Sequence, residues 1–228
     1  MTTLFVTATG TEVGKTYVAA GIAAALTAKG RTVRVLKPVI SGFDWGEVEN
    51  TDTALLLAAT GQAPDREAIE ACSPWRFTEP LSPDMAAKRE GREVDFNSLV
   101  RFCRDAHEEH GDGGGDVLLI EGIGGVMVPL GETHTVLDWI EAVGEPALVV
   151  AGSYLGTLSH TLSAVKALEG RGIHIAGVVV AESEVSPVPI EETVETLHRF
   201  LDGIPLTAVA RDAAPKEVLD AVAAMCGL

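Results

Sequence analysis

Six short apolar stretches alternate with stretches of helical character along this chain, and the alternation constrains its fold more than any other feature. The predicted strands are residues 4–7, 33–36, 117–120, 147–151, 175–180 and 206–209. The predicted helices lie near residues 15–29, 51–60, 95–110, 157–171, 190–202 and 215–225. Strands this apolar need cover on both faces, which is typical of a parallel sheet between two layers of helices. The sequence therefore predicts an α/β fold with one doubly wound parallel sheet.

The length of 228 residues suits one such domain with a large core. No linker, long repeat or low-complexity tract divides the chain, so we predict a single domain over residues 1–228. Residues 62–93 contain four prolines and are predicted to be irregular.

Composition argues against several classes of partner. A net charge of −16 disfavours nucleic acid, which requires a basic face. The cysteines Cys72, Cys103 and Cys226 are odd in number and far apart, which suits reduced thiols in a cytoplasmic protein. No basic and apolar leader precedes the first strand, so a cleaved signal is not expected. Residues 146–165 lack charged side chains, but their glycines and serines indicate strand, turn and helix rather than a membrane span.

A phosphate-binding loop is predicted directly after the first strand. Gly14, Lys15 and Thr16 complete the spelling GxxxxGK[ST], in which backbone N–H groups and a helix N-terminus converge on phosphate. Thr9 stands where the first glycine of that spelling belongs, and Glu12 places a carboxylate within the loop. The alternative is an ordinary strand–turn–helix with a surface lysine. Because strand, Gly-Lys-Thr and helix occur in order, we favour phosphate binding.

Polar residues also follow the next two predicted strands, where ligands bind in such sheets. Lys37 could neutralise a transferring phosphate there, although a surface lysine is an equal alternative. Glu121 ends a buried strand, where a carboxylate beside a phosphate loop usually serves Mg²⁺. Asp52 opens a helix and could simply complement its dipole. Together with Thr16, these two carboxylates could supply oxygen ligands for Mg²⁺.

A second helix N-terminus follows the fourth predicted strand, within residues 152–160. It could hold another anion at the same edge of the sheet. An ordinary helix cap by Thr157 or Ser159 explains the same stretch equally well.

Taken together, these motifs resemble the dethiobiotin synthetase family of the P-loop NTPase superfamily. The matching stretches are TEVGKT (11–16), KPVISG (37–42), EPLSP (79–83), EGREV (90–94), EGIGGVMVPL (121–130) and LGTLSH (155–160). They occur in the order of the family and are highly specific as a set, whereas the sequence after Gly177 matches weakly.

The resemblance implies a magnesium-dependent ligase with ATP as co-substrate, acting in the penultimate step of biotin biosynthesis. In that family 7,8-diaminononanoate takes up CO₂ as a carbamate on one amine. The γ-phosphoryl group of ATP then converts the carbamate to a mixed anhydride. The second amine expels phosphate and closes a cyclic urea.

The resemblance also implies a role for each matching residue. The catalytic set is Lys15, Lys37 and Thr11, and the Mg²⁺ ligands are Thr16, Asp52 and Glu121. The nucleotide-binding set is Glu12, Val13, Gly14, Lys15, Thr16, Tyr17, Ala181 and Pro205. The substrate-binding set is Thr11, Glu12, Lys37, Ser41, Gly124, Gly125, Leu155, Gly156, Thr157 and Ser159. The substrate carboxylate would be held across a homodimer interface by Leu155, Gly156, Thr157 and Ser159. Glu12 would lie near the protonated diamine.

The chain departs from the family pattern at a few positions. Ala8 replaces a glycine at the start of the loop, and Ser159 stands where the family has asparagine. The residues after the fifth strand are Ala-Glu-Ser (181–183) instead of an asparagine that reads adenine. A tyrosine that reaches the partner's substrate has no counterpart, with Thr193 nearest. These departures concern the nucleobase and the carboxylate end, so the sequence leaves the base preference open.

Two other classes of protein share the predicted sheet. A cobyrinate-amidase-like ligase would add a glutaminase part with a nucleophilic cysteine and a histidine, and no such pattern is visible. A nucleotide-dependent switch of the ParA/MinD type would carry an early lysine in its loop, where this chain has Gly10. The C-terminal segment 215–225 also lacks the basic face that would bind a membrane.

Overall fold

A computed structural model describes residues 2–111, 117–211 and 215–228 of the chain. Its strands are β1 (Thr2–Ala8), β2 (Val33–Leu36), β3 (Val39–Ser41), β4 (Trp75–Phe77), β5 (Val117–Glu121), β6 (Ala147–Gly152), β7 (Ile175–Ala181) and β8 (Leu206–Val209). Its α-helices are α1 (Lys15–Ala28), α2 (Asp52–Ala59), α3 (Arg66–Cys72), α4 (Pro83–Arg89), α5 (Phe96–Gly111), α6 (Val136–Val143), α7 (Thr157–Gly170), α8 (Ile190–His198) and α9 (Pro215–Met225). A 3₁₀ helix spans Trp45–Asn50.

Six strands form one sheet in the order β2-β5-β1-β6-β7-β8, and every neighbouring pair is parallel. The six predicted strands are confirmed, with ends shifted by at most two residues. The short strands β3 and β4 form a separate parallel pair. All six strands of the main sheet therefore end at one edge, where the loops that follow them meet.

The pattern within β1 shows that helices cover both faces of the sheet. Leu4 and Val6 pack in a core cluster with α1, α2 and α9. Phe5 points the other way, into a cluster built from α5, α6, α7 and α8. There its ring meets Trp139 edge-on, with 4.8 Å between centroids. The predicted doubly wound fold is thus confirmed.

The last described helix returns to the first one. α9 packs against α1, and its Val222 and Ala223 are buried in the same core cluster as Ile22. Since the two ends of the chain share one core, we propose that the chain forms a single domain.

The prediction that residues 62–93 are irregular is wrong, because this segment contains α3, β4 and α4. Its prolines stand at positions that tolerate them. Pro83 is the first residue of α4, where the missing N–H costs no helix bond. Pro74 precedes β4 and lies outside its pairing with β3. Asp65, which follows Pro64, caps α3 by accepting a bond of 2.9 Å from Ala68 N.

Helix α6 was not predicted from the sequence, although its end signals are present. Thr135 and Asp138 form a capping box at its start. Gly144 ends it with a φ of 82°. The helix is short and apolar, with Trp139 and Ile140 fully buried, so its periodicity is hard to distinguish from that of a strand.

The uncharged stretch 146–165 divides as predicted into β6, a turn and the first part of α7. Among the described residues, no helix combines the length and the apolar character needed to cross a bilayer. The turn between β6 and α7 lies at the carboxyl edge of the sheet, beside the loop that follows β1.

Candidate active site

The predicted phosphate loop joins β1 to α1 at the carboxyl edge of the sheet. Its first residue, Thr9, donates its backbone N–H to Val150 O at 2.9 Å, which ties the loop to β6. Gly14 precedes α1 with a φ of 87°. Glu12 has a φ of 59°, and no other non-glycine residue in the described part of the chain has a positive φ. A left-handed conformation at such a residue costs on the order of 1–3 kcal/mol and is most often retained at functional sites.

The glycines after β5 let the backbone approach the start of this loop closely. A Cβ atom at Gly125 would lie 3.0 Å from Thr9 O and 3.2 Å from Gly10 N. The next residue, Val126, donates its N–H to Ala8 O at 3.0 Å. A larger residue at position 125 would therefore displace the loop, which accounts for the glycine there.

Two side chains from the start of α1 and one that follows β2 converge on one oxygen of Glu121. Lys37 Nζ lies 2.6 Å, Thr16 Oγ1 2.9 Å and Lys15 Nζ 3.1 Å from Glu121 Oε1. Lys37 also donates to Gly122 O at 2.7 Å and lies 3.5 Å from Asp52 Oδ2. Lys37 and Glu121 are each only 1% exposed. Lys37 is therefore not a surface cation, and the structure brings the predicted lysines and Mg²⁺ ligands together.

The pKa values of this cluster follow from its burial and its charges. Burial favours a neutral Glu121, but Lys15 and Lys37 outweigh it and lower the pKa of Glu121 to about 2. Burial lowers the pKa of Lys37, but the negative charges of Glu121 and Asp52 have the larger combined effect and raise it above its usual value. For Lys15 the effect of burial is larger than the attraction to Glu121, so the pKa of Lys15 is lowered. At neutral pH Glu121 is thus an anion held by cationic Lys37.

The residues predicted to bind Mg²⁺ fit that ion when phosphate is also bound. All three donors use Glu121 Oε1, and the buried Oε2 has no hydrogen-bond partner in the described part of the chain. Thr16 and Asp52 offer further hard oxygen atoms nearby. In the described ranges no group of three or more His, Cys, Asp or Glu side chains could hold a metal ion. Mg²⁺ commonly completes its shell with phosphate and water, so two carboxylates and a hydroxyl suffice.

A cavity of about 690 Å³, here called the catalytic cavity, opens in front of this cluster. The predicted site residues that line it are Thr11, Glu12, Gly14, Lys15, Thr16, Tyr17, Lys37, Ser41, Asp52 and Gly124. Ser41 Oγ is buried there and has no hydrogen-bond partner among the described residues, so it is able to bond to a molecule in the cavity. The start of α4 adds Leu81, Ser82 and Pro83, which the prediction of irregular structure did not place.

A second cavity of about 500 Å³, here called the base cavity, adjoins the first at the phosphate loop. Glu12, Gly14 and Tyr17 line both cavities. The remaining lining residues are Val13, Ala181, Glu182, Ser183, Glu184, Val209, Ala210 and Arg211.

Pro205 does not contribute to the base cavity, and its predicted nucleotide-binding role is corrected. It precedes β8 at the amino end of the strand, where its carbonyl accepts a bond of 2.8 Å from Val178 N. The loops around the phosphate site follow the carboxyl ends of the strands. Ala210 and Arg211, just beyond β8, occupy that position, where ligands bind in parallel sheets.

The structure does not bring Leu155, Gly156, Thr157 and Ser159 into the catalytic cavity of their own chain. Leu155 is 86% exposed, whereas Thr157 is buried and donates its hydroxyl to Gly152 O at 2.5 Å.

A groove of about 470 Å³ connects the start of α7 to the phosphate loop, and it is lined by His160, Thr11 and Gly125 among others. His160 Nδ1 lies 2.8 Å from the hydroxyl of Tyr154, a pair that the sequence did not single out. Thr193 is buried in α8 and therefore cannot replace the missing tyrosine at a surface.

The parallel sheet, the loop between β1 and α1 and the two lysines that meet at Glu121 define a nucleotide-binding α/β protein of the P-loop type. The structure resembles the cell division ATPase MinD of Pyrococcus furiosus, with a TM-score of 0.55 over 100% of this chain and 99% of that chain at 19% identity, a likeness of fold alone. The family described as AAA domain matches residues 2–211.

Sequence relatives define the family more narrowly. The chain is 49% identical to the ATP-dependent dethiobiotin synthetase BioD of Acidiphilium cryptum, over 90% of this chain and 91% of that protein. It is 44% identical to the protein of the same name from Methylobacterium nodulans, over 98% and 100%. Bacillus subtilis strain 168 has a further one at 36% identity, over 90% and 85%. This chain belongs to the ATP-dependent dethiobiotin synthetase family.

We predict that Glu121→Gln lowers the free energy of unfolding by about 3–5 kcal/mol, because it leaves Lys37 buried without its closest counter-charge. The pKa of Glu121 is lowered from 4.5 to about 2, so the carboxylate stabilises the fold above pH 4.5 and loses this effect as the pH falls towards 2. The difference in the free energy of unfolding between wild type and variant, measured by urea unfolding, should therefore decrease below pH 4.5.

The matched control is Glu169→Gln, which removes an exposed ion pair with Lys166 and should cost less than about 1 kcal/mol. A loss of unfolding free energy below about 1 kcal/mol for Glu121→Gln, or a loss that does not change with pH, would contradict the assignment of Glu121 as the buried counter-ion.

Proposed function

We propose that this protein is an ATP- and Mg²⁺-dependent dethiobiotin synthetase that closes a cyclic urea on 7,8-diaminononanoate with CO₂. Family membership supports the overall reaction. The observation that carries the chemistry is the placement of Lys15 and Lys37 on the same oxygen of Glu121, at the floor of the catalytic cavity. Two ammonium groups held side by side suit a phosphoryl group in transfer, where negative charge accumulates.

The proposed first step joins the carbamate to phosphate. A carbamate oxygen attacks the γ-phosphorus of ATP, the bond to the bridging oxygen breaks, and ADP leaves. Lys15 and the loop amides would hold the β- and γ-phosphates, while Lys37 would stabilise the transferring group and the carbamate. Mg²⁺ held by Thr16, Asp52 and Glu121 would neutralise charge on the phosphate oxygens.

In the second step the other amine attacks the carbonyl carbon of the mixed anhydride and loses a proton, and phosphate leaves as the ring closes. The hydroxyl of Ser41 and the backbone at Gly124, which line the cavity, would orient the diamine and the carbamate. Thr11 and Glu12 line the same cavity. A carboxylate favours a protonated diamine, which gives a reason for a strained acidic residue in a phosphate loop.

The direct test is phosphate release from ATP by the purified protein. We expect release only when bicarbonate and 7,8-diaminononanoate are both present, with dethiobiotin formed in equal amount by mass spectrometry. Release that is independent of the diamine, or that requires glutamine, would contradict the proposal and favour a switch ATPase or an amidating ligase.

The two lysines should differ in that assay. Lys15→Ala should weaken nucleotide binding as well as turnover, because Lys15 would meet the phosphates of bound ATP before reaction. Lys37→Ala should mainly lower kcat, by about 10²-fold or more, because its charge matters most as the phosphoryl group moves. Steady-state kinetics with fluorescent-nucleotide titrations separate these effects, and a near-normal kcat in Lys37→Ala would remove that residue from the mechanism.

We propose that the base cavity holds the nucleobase and reads it loosely. Some of the polar groups that line this cavity already have contacts within the protein. Glu182 Oε2 accepts the Arg211 backbone N–H at 2.9 Å, and the Arg211 guanidinium lies 3.9 Å from Glu184. Strong rejection of a wrong base requires polar groups that the wrong base leaves unpaired.

We therefore expect CTP and GTP to support turnover within roughly tenfold to a hundredfold of ATP. The measurement is kcat/KM for each nucleotide under saturating bicarbonate and diamine. A preference for ATP above about ten-thousand-fold would show that a specific group reads adenine.

We propose further that the active unit is a homodimer in which the start of α7 holds the substrate carboxylate for the partner subunit. This segment offers free backbone N–H groups at a helix N-terminus, yet it lies outside the catalytic cavity of its own chain. The side chains of Leu155, Leu158 and Met127 are exposed around it, which suits a covered surface. Two-fold symmetry would give two equivalent sites.

Ser159→Glu tests the shared site, since it places a carboxylate in the first turn of α7 without straining the helix. We expect a raised KM for the diamine with nearly normal nucleotide affinity, and a much smaller effect for the neutral variant Ser159→Gln.

Mixing Ser159→Glu with Lys15→Ala should restore part of the activity. Each hybrid dimer would combine an intact phosphate loop with an intact α7 start in one of its two sites. If subunit exchange is verified by mass spectrometry and no activity returns, the shared site is ruled out.

A further inference from the structure

A pair of buried hydroxyl groups lies behind the catalytic cluster, outside the set of residues that would touch the substrates. Thr53 Oγ1 and Ser73 Oγ are 2.7 Å apart, and both residues are 0% exposed. Neither side chain lines a cavity described above. Because a buried hydroxyl that loses its partner carries a desolvation cost, this pair holds its two elements in one relative position.

One end of the pair is next to the backbone that fixes Lys37. Ser73 follows α3, and the preceding residue, Cys72, accepts the backbone N–H of Lys37 through its carbonyl at 3.1 Å. The guanidinium of Arg76 bonds to Ser73 O. The end of α3 is therefore a fixed point relative to Lys37.

The other end of the pair is next to Asp52. Thr53 is the second residue of α2, and Asp52 is the first. The Asp52 side chain is 43% exposed and lies 3.5 Å from Lys37 Nζ, a long and partly solvated contact. A contact of this kind holds a carboxylate weakly, so the position of Asp52 depends on where α2 begins.

We propose that Thr53 and Ser73 are positioning residues that set the distance between Asp52 and the Lys37–Glu121 pair. The inference rests on the proposed function of Asp52 as a ligand of the magnesium–nucleotide complex. The hydroxyl pair connects the start of α2 to the end of α3, and the end of α3 in turn holds the Lys37 backbone. Metal and phosphoryl sites tolerate displacements of only about 0.5 Å in their ligands, so a loose α2 would weaken metal binding before it unfolds the chain.

Thr53→Val and Ser73→Ala each remove one hydroxyl, and Thr53→Ser retains it. Mn²⁺ binding in the presence of a non-hydrolysable ATP analogue, followed by electron paramagnetic resonance, is the main measurement. We expect Thr53→Val and Ser73→Ala to weaken Mn²⁺ binding about tenfold and to raise the Mg²⁺ concentration for half-maximal activity similarly. Thr53→Ser should remain within about twofold of wild type, since the hydrogen bond can still form.

The matched control is Thr3→Val. Thr3 Oγ1 makes a hydrogen bond of 2.8 Å to His107 Nδ1, and Thr3 is 3% exposed at the amino edge of the sheet, away from the cavity. This variant should lower the urea unfolding midpoint to an extent comparable with Thr53→Val and leave Mn²⁺ binding unchanged.

A double-variant test connects the effect to Asp52. In an Asp52→Asn background, Ser73→Ala should not weaken Mn²⁺ binding further, because the ligand it positions has been removed. Full additivity of the two changes, or unchanged Mn²⁺ binding in both hydroxyl variants, would overturn the proposal. If Thr53→Val does not fold, Mn²⁺ binding by Ser73→Ala tests the proposal in its place.

Failure of this inference is distinguishable from failure of the proposed function. Mn²⁺ binding with the ATP analogue needs neither bicarbonate nor diamine. A protein that binds Mn²⁺ as expected but releases no phosphate with those substrates would refute the ligase assignment alone.

Discussion

The rest of the site depends on the buried ion pair between Lys37 and Glu121. Each residue would be costly to bury alone, since an isolated charge in a protein interior forfeits its hydration. Together they sit at 2.6 Å with almost no exposure, and Lys15 and Thr16 add their donors to the same carboxylate oxygen. The pair thus connects β5, the end of β2 and the start of α1 into one unit. An incoming phosphate meets cations whose positions are already fixed, so little reorganisation is left for the reaction step.

The main sheet was predictable from sequence because its signal is simple. Strands covered on both faces are apolar along their whole length, as in β6 and β7. The stretches between strands contain strong helix formers, as the alanines and leucines of α1 show. The segment between α2 and α5 was not predictable in the same way. Its elements are three to seven residues long, too short for periodicity, and its prolines suggest breaks when counted without regard to position. Whether a proline interrupts a helix depends on its position, and Pro83 is tolerated because it is the first residue of α4.

The phosphate end of the site was predictable because local motifs specify it. Glu121 ends β5, Lys37 follows β2, and Lys15 and Thr16 open the helix after β1. Parallel strands bring such residues to one edge. Local sequence could not supply relations between distant loops. The closeness of Gly125 to Thr9 and the pair of Tyr154 with His160 arise only when the sheet is assembled. Pro205 was misplaced for a different reason. It precedes β8 and lies at the amino end of that strand, whereas ligands bind beyond the carboxyl ends of parallel strands.

The left-handed backbone of Glu12 has a consequence for how this chain can change under selection. Glycine adopts a φ of 59° without steric penalty, so a glycine at position 12 would make the folded chain more stable. A screen that rewards only heat resistance would favour that substitution and remove a carboxylate that faces both cavities. At position 12 the stability of the fold and the function of the site therefore favour different residues. An acidic residue retained there in heat-adapted variants would indicate selection for ligand binding.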